Sequence, residues 1–256
     1  MKPLLERAAS QEGALGCFLS EVAAPNLMRV MRAAGMDFVI IDCEHGSFDS
    51  SQVAAVCAVA NGIGLTALVR VPGVSRDPIQ KALDAGADGI LVPMVNDAEQ
   101  ISQAVRMAKY SPLGARGIST MRPHSEYNPG PLAEYMARAN GRTLVLAQIE
   151  TRKGVKNAAS IAATQGVDAL LVGPNDLSDD HGIPGKLNDP VMQAAYQAVA
   201  GSCHEAGKPS GIITSSMSLI HCCQAMGMRI FSCNSEVGLL AQGLKAMRRE
   251  YLEKKG

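Results

Sequence analysis

The sequence predicts a (β/α)8 barrel of the TIM type. Three observations carry that expectation: the length of the chain, the alternation of short apolar runs with helical stretches, and a turn signature that recurs before the runs. At 256 residues the chain has the length of one such barrel, for which about 250 residues is typical. That is also enough to bury one large core, so a single domain over 1–256 is expected.

The apolar runs are Ala14–Leu19, Phe38–Ile41, Leu65–Val69, Gly89–Val92, Thr143–Ile149, Ala169–Val172, Ser210–Ile213 and Met228–Ser232. Near-continuous Val, Ile and Leu is what parallel strands buried on both faces require. Stretches of helical period lie between them, at 24–34, 50–60, 77–85, 97–108, 153–164, 190–206, 216–226 and 236–252. Ala34-Gly35-Met36-Asp37, Ala85-Gly86-Ala87-Asp88 and Gln165-Gly166-Val167-Asp168 each read as a helix ended by a glycine cap with a strand beginning near Asp. Gly227 repeats the cap without the Asp. Glycine suits that position because it needs φ > 0. A doubly wound open sheet would have fewer strands and a Gly-rich turn after the first, but Ser20-Glu21-Val22-Ala23 holds no glycine. Two connections, 110–142 and 174–189, exceed the pattern, and loops of that length are commonly functional.

Composition narrows the function. Lys plus Arg and Asp plus Glu number 24 each, and the basic pairs Arg248-Arg249 and Lys254-Lys255 are too short for a nucleic-acid or membrane footprint. No apolar run reaches the roughly 18 residues of a spanning helix, and the N-terminus lacks the apolar core of a signal peptide. The cytoplasm is the expected compartment. Seven cysteines stand without CxxC spacing, mostly inside apolar runs, where a thiol packs as a small hydrophobe.

Chemistry gathers at the C-terminal ends of the strands, where barrel active sites sit. Strand 2 leads into Asp42-Cys43-Glu44-His45-Gly46 and strand 3 into Arg70. Strand 5 ends in Gln148-Ile149-Glu150, and strand 6 in Gly173-Pro174-Asn175-Asp176. Carboxylates at strand ends without Cys or His beside them suit a hard cation such as Mg²⁺ or Mn²⁺. Glu150 alone could equally be a salt-bridge partner. An arginine at the end of an apolar strand needs an anion. For Arg70 that anion is a substrate or a neighbouring carboxylate such as Asp84, which stays among the catalytic candidates. Histidine is the residue type whose unperturbed pKa best suits proton transfer near neutral pH, which makes His45 an acid/base candidate.

Six segments together resemble the HpcH/HpaI aldolase family over about residues 10–250. They are Asp42-Cys-Glu-His45-Gly, Val-Arg70-Val-Pro, Leu91-Val-Pro-Met94-Val, Gly114-Ala-Arg116-Gly117, Gln148-Ile-Glu150-Thr-Arg152 and Gly173-Pro-Asn-Asp176-Leu-Ser178. The resemblance implies a barrel of the phosphoenolpyruvate/pyruvate type. It also implies a class II aldolase that cleaves 4-hydroxy-2-oxo acids to pyruvate and an aldehyde through a metal-bound enolate. Glu150 and Asp176 become the ligands of Mg²⁺ or Mn²⁺, with Co²⁺ a third candidate. His45, oriented by Asp42, becomes the acid/base group, and Arg70 the holder of the 2-oxo oxygen. Gln148 lies beside the metal, and the N–H groups available along the Gly173-Pro174-Asn175-Asp176 backbone are expected to receive the substrate carboxylate. A homo-oligomer, trimer or hexamer, is implied, with helix 236–252 exchanged between subunits. Packing of that helix on its own barrel is the simpler alternative.

Other readings stand beside these. A decarboxylase of oxaloacetate-type 2-oxo diacids would use the same enolate chemistry, and a retired barrel could bind a 2-oxo acid without turnover. Glu44 is read as a supporting polar contact and Arg116 as structural or at a subunit contact. His124 and His181 are read as loop histidines, solvated or touching the aldehyde end. Met28, Met31, Met94, Met107 and Met226 are read as packing residues. The stretch Ser119–Ser125 and residue Asn175 depart from the family pattern near the substrate mouth, which leaves the aldehyde open.

Overall fold

The computed structural model describes residues 3–253; Met1, Lys2 and the Lys254-Lys255 pair lie outside them. Eight parallel strands close into a barrel in sequence order, β1 (Ala14–Leu19), β2 (Phe38–Asp42), β3 (Thr66–Arg70), β4 (Gly89–Val92), β5 (Leu144–Ile149), β6 (Ala169–Val172), β7 (Ser210–Thr214) and β8 (Ile230–Ser235). The expected (β/α)8 architecture is therefore the one observed.

Because side chains alternate across a strand, each strand feeds two cores. Phe18, Phe38, Ile40, Leu68, Leu91, Leu146, Leu171 and Ile230 fill the barrel interior. Their neighbours Leu19, Val39, Ile41, Val69, Ile90, Val145 and Val172 pack outward against the helices. Helix α1 (Pro3–Ala8) closes the N-terminal end, adding Leu4 and Ala8 to the inner core.

The outer layer is α2 (Leu27–Ala33), α3 (Ser50–Gly62), α4 (Arg76–Asp84), α5 (Ala98–Ala108), α6 (Leu132–Arg142), α7 (Arg152–Lys156), α8 (Ala158–Ala163), α9 (Pro174–Asp180), α10 (Pro190–Glu205), α11 (Met217–Ala225) and α12 (Glu236–Glu253). The caps behave as expected: Gly35 has φ +87° and Gly86 φ +99°. The aspartates after them do more than mark a strand start. Asp37, Asp88 and Asp168 each accept the N–H of the first or second residue of a neighbouring strand, Leu15, Ala67 and Val145. A repeated carboxylate thus pins the register at three points around the sheet.

Several elements differ from the expectation. The 110–142 connection is not structureless, because α6 occupies its end. The Asn140 side chain in α6 holds both the N–H and the C=O of Tyr110, at 2.7 and 2.9 Å. The 174–189 connection begins with α9, entered through Pro174 in the first turn. The helix expected over 153–164 is broken at Asn157, whose Nδ2 donates to the carbonyl of Asn96. Helix α12 does not lie along its own barrel. It meets β8 and β1 at its start, while Leu239, Leu240, Leu244, Met247, Tyr251 and Leu252 remain exposed.

Candidate active site

Extending the inward rows by one or two residues past the inner core places Asp42, Arg70, Gln148, Glu150 and Gly173 at the C-terminal mouth. A cleft of about 440 Å³ opens there, lined on one side by Asp42, His45, Arg70, Gln148 and Gly173 to Asp176, and on the other by Phe18, Ser20, Thr214, Ser215, Asn234 and Ser235. Asp42, His45, Arg70, Gln148 and Asp176, all predicted from sequence, therefore share one cleft, and Glu150 is joined to it through Gln148.

Asp42 and Arg70 are register partners on β2 and β3. The guanidinium donates Nε to Oδ1 at 2.9 Å and Nη2 to Oδ2 at 2.6 Å. Its Nη1 lies 3.2 Å from Glu44, and its carbon sits 4.8 Å above the Phe18 ring. Burial pushes the Asp42 carboxyl up, but the Arg70 guanidinium outweighs it and holds the acid below its usual range. Glu44 goes the other way, with burial raising it and Arg70 only partly opposing.

This corrects two expectations. The anion facing Arg70 within the protein is Asp42 with Glu44, not Asp84. Asp84 ends α4 at the opposite end of the barrel, 2.7 Å from Arg116 and 3.5 Å from His124. Asp42 orients no imidazole either: it accepts the backbone N–H groups of Glu44 and His45 at 3.1 and 3.3 Å. The His45 ring is exposed at the mouth, with Glu44 as its acidic neighbour at 3.9 Å.

Glu150 is buried, 2% exposed. One oxygen accepts the backbone N–H of Met94 at 2.6 Å, and the other accepts from Gln148 Nε2. Burial first, then the charges of Asp176 and Glu44, push its carboxyl up to about 7, against the pull of those two donors. The Oε1 atom of Gln148 is buried without a partner. A Cβ on Gly173 would come within 2.5 Å of Glu150 Oε2, so the backbone there passes as close to the carboxylate as glycine allows.

Met94 is not the packing residue expected from its type. It sits at φ +53°, is exposed, and contributes its N–H to the site. The β4 loop is held in that shape by Asn96, whose Nδ2 donates to the Met94 carbonyl and whose Oδ1 accepts from Thr151. Nothing in the local sequence signals such a turn.

The donor set at α9 is smaller than expected. Pro174 has no N–H, and the Gly173 N–H is taken by the Ile149 carbonyl at 3.0 Å. Only Asn175 and Asp176, in the first turn, have N–H groups with no helical partner to satisfy them. Both residues are exposed to the cleft.

Among the described residues no three His, Cys, Asp or Glu side chains form a closed metal cage. The site nevertheless fits a divalent cation held by few protein ligands. It has two carboxylates whose charges oppose each other, an unpartnered amide oxygen beside them, and all-oxygen chemistry suited to a hard ion. An open coordination sphere is also what substrate chelation needs.

His124 is not a solvated loop histidine. It is buried, with Nδ1 on the Tyr135 hydroxyl and Nε2 on the Ser119 carbonyl at 3.0 Å. Burial and the nearby Arg116 charge lower its proton affinity. His181 stands just after α9, its N–H bonded to the Leu177 carbonyl. The thiols are free, and burial pushes those of Cys17 and Cys43 up to about 12 and about 11, away from reactivity.

Fold and site together define a (β/α)8 barrel whose C-terminal rim carries a carboxylate-rich cleft of the kind that suits a divalent cation. Residues 15–241 match the model of the HpcH/HpaI aldolase/citrate lyase family. The chain is 36% identical over 205 residues to a 5-keto-4-deoxy-D-glucarate aldolase of Klebsiella pneumoniae, covering 80% of this chain and 79% of that one. Among solved structures it resembles an HpcH/HpaI aldolase from Desulfitobacterium hafniense (TM-score 0.90, 32% identity, 97% of each chain). It also resembles a citrate synthase (TM-score 0.87, 30% identity, 99% and 98% covered). The chain belongs to the HpcH/HpaI aldolase family. It is a carbon–carbon lyase, a class II aldolase that yields pyruvate and an aldehyde, and the decarboxylase and binding-protein readings are not favoured.

Proposed function

We propose that the enzyme cleaves, and in reverse forms, 4-hydroxy-2-oxo acids whose aldehyde half is hydroxylated, of the sugar-acid class. The observation carrying this reading is the division of one cleft into two walls. Arg70, Gln148 and Asp176, with Glu150 bonded to Gln148, suit the 2-oxo acid end, while Ser20, Thr214, Ser215, Asn234 and Ser235 line the other end with hydroxyl- and amide-bearing residues. The substrate named for the relatives has the same character.

Glu150 and Asp176 would hold Mg²⁺ or Mn²⁺, with Co²⁺ a third choice, and Gln148 Oε1 lies beside them. The bound ion supplies Lewis-acid polarisation of the 2-oxo group. Asn175 and Asp176 offer their N–H groups to the substrate carboxylate. His45 takes the proton of the 4-hydroxyl, directly or through water, as the C4–O bond becomes a carbonyl and the C3–C4 bond breaks. The electron pair moves into the pyruvate enolate, and Arg70, kept charged and oriented by Asp42 and Glu44, stabilises its oxygen. Protonation at C3 completes pyruvate.

The exposed apolar face of α12 supports a homo-oligomer, trimer or hexamer, built on one barrel domain per chain with this helix exchanged between neighbours. No helix among the described residues is long and apolar enough to cross a membrane, and free thiols suit the cytoplasm.

The test is pyruvate release from a panel of 4-hydroxy-2-oxo acids with Mg²⁺ or Mn²⁺, with oxaloacetate in parallel. Hydroxylated substrates should be cleaved and EDTA should stop the reaction. Faster turnover of oxaloacetate, or no pyruvate from any member, would overturn the reading.

A further inference from the structure

The first residue of α12, Glu236, is buried. Its carboxylate collects the β1 loop. It accepts the N–H of Ser20 at 2.9 Å, of Glu21 at 2.6 Å and of Val22 at 2.9 Å, together with the Ser20 hydroxyl at 3.2 Å. Three successive N–H groups converging on one point make an anion-binding nest, here filled by a side chain from 214 to 216 residues away. Burial raises the Glu236 acid, but the N–H groups of Glu21, Val22 and Ser20 outweigh it and keep it below its usual range.

The clamped loop forms part of the cleft. Ser20 lines the wall opposite the carboxylates, as do Asn234 and Ser235 immediately before Glu236. The Ser20 carbonyl also abuts the turn carrying His45, since a Cβ on Gly46 would lie 2.8 Å from that oxygen. One carboxylate therefore joins the ends of β1 and β8, where the barrel closes.

We propose that Glu236 is a positioning residue for the aldehyde half of the substrate, holding the Ser20 wall. This rests on the aldolase reading above. Glu236→Gln keeps the size but loses the charge that three N–H groups share, and Glu236→Asp keeps the charge but shortens the reach.

The experiment compares three readouts in wild type and both variants. Cleavage of a hydroxylated 4-hydroxy-2-oxo acid should lose about tenfold or more in kcat/KM in Glu236→Gln, chiefly through KM, with a smaller loss in Glu236→Asp. Exchange of the pyruvate methyl hydrogens with deuterium, which needs only the 2-oxo acid end, should stay within about twofold. Amide hydrogen exchange at 20–22 should accelerate about tenfold or more in Glu236→Gln. If cleavage and pyruvate exchange fall together, or neither changes, the positioning role is wrong. Should Glu236→Gln not fold, Glu236→Asp decides, and wild-type cleavage in it overturns the proposal. A wild type that releases no pyruvate sinks the aldolase reading instead, and unchanged amide exchange at 20–22 would then still refute the clamp.

Discussion

The Asp42 carboxylate and the Arg70 guanidinium meet two on two across neighbouring strands, at 2.9 and 2.6 Å. Such a fork depends on the planar geometry of arginine, which lysine cannot reproduce. Arg70→Lys should lower kcat by about 100-fold, the scale of losing one donor to a developing oxyanion. Metal affinity should be unchanged, as read by Mn²⁺ calorimetry. Wild-type kcat in the lysine variant would remove Arg70 from the transition state.

Glu150→Ala and Asp176→Ala should each abolish measurable Mn²⁺ binding and bring pyruvate release to background, while circular dichroism stays native. Chelation of the wild type by EDTA should give the same loss, reversed by added metal. Turnover surviving in either variant would take that residue out of the metal site.

The Glu150 carboxyl, pushed up to about 7, stands above its unfolded value of about 4.3. The sign follows: its protonated form favours the metal-free fold at low pH, and that contribution fades as pH rises from about 4 to about 7. A cation competes with the same proton, so metal affinity should rise roughly tenfold per pH unit below about 7 and level off above it. Mn²⁺ titrations across this window would show it, and a flat profile would contradict the raised acid.

Gly173→Ala would drive a methyl group to 2.5 Å from Glu150 Oε2 and 2.8 Å from Gln148 Nε2. The backbone there has φ −96°, which alanine adopts freely, so the expected damage is local. Metal affinity should fall about tenfold or more with thermal stability nearly kept. A variant with wild-type metal binding would mean that the two side chains yield without consequence.

At the other end of the barrel, Arg116 is buried against Asp84 at 2.7 Å and over Tyr110 at 4.9 Å. Arg116→Ala should cost on the order of 3–5 kcal/mol, as breaking a buried pair does, through a lowered unfolding midpoint. Pyruvate exchange by the folded fraction should persist.

The barrel was legible because its signal is local. Alternation along each strand decides which side chains face inward, so Asp42, Arg70, Gln148 and Glu150 could be placed on one rim from their positions after apolar runs. Glycine caps marked the turns for the same reason. Helix α6 was missed because its apolar positions lie inside a long polar connection, and His124 was misjudged because its cover comes from Tyr135 and Asp84.

The chain's own pattern thus determined eight strands, their order and the acids, arginine and histidine at the mouth, since periodicity and turn chemistry act over a few residues. Tertiary structure alone decided that Asp42 serves Arg70 and that the Met94 N–H grips Glu150 from 56 residues away. It also decided that Ile149 consumes the Gly173 donor and that α12 leaves its own barrel. Those outcomes depend on which distant groups barrel closure brings within hydrogen-bonding reach, and no local pattern carries that information.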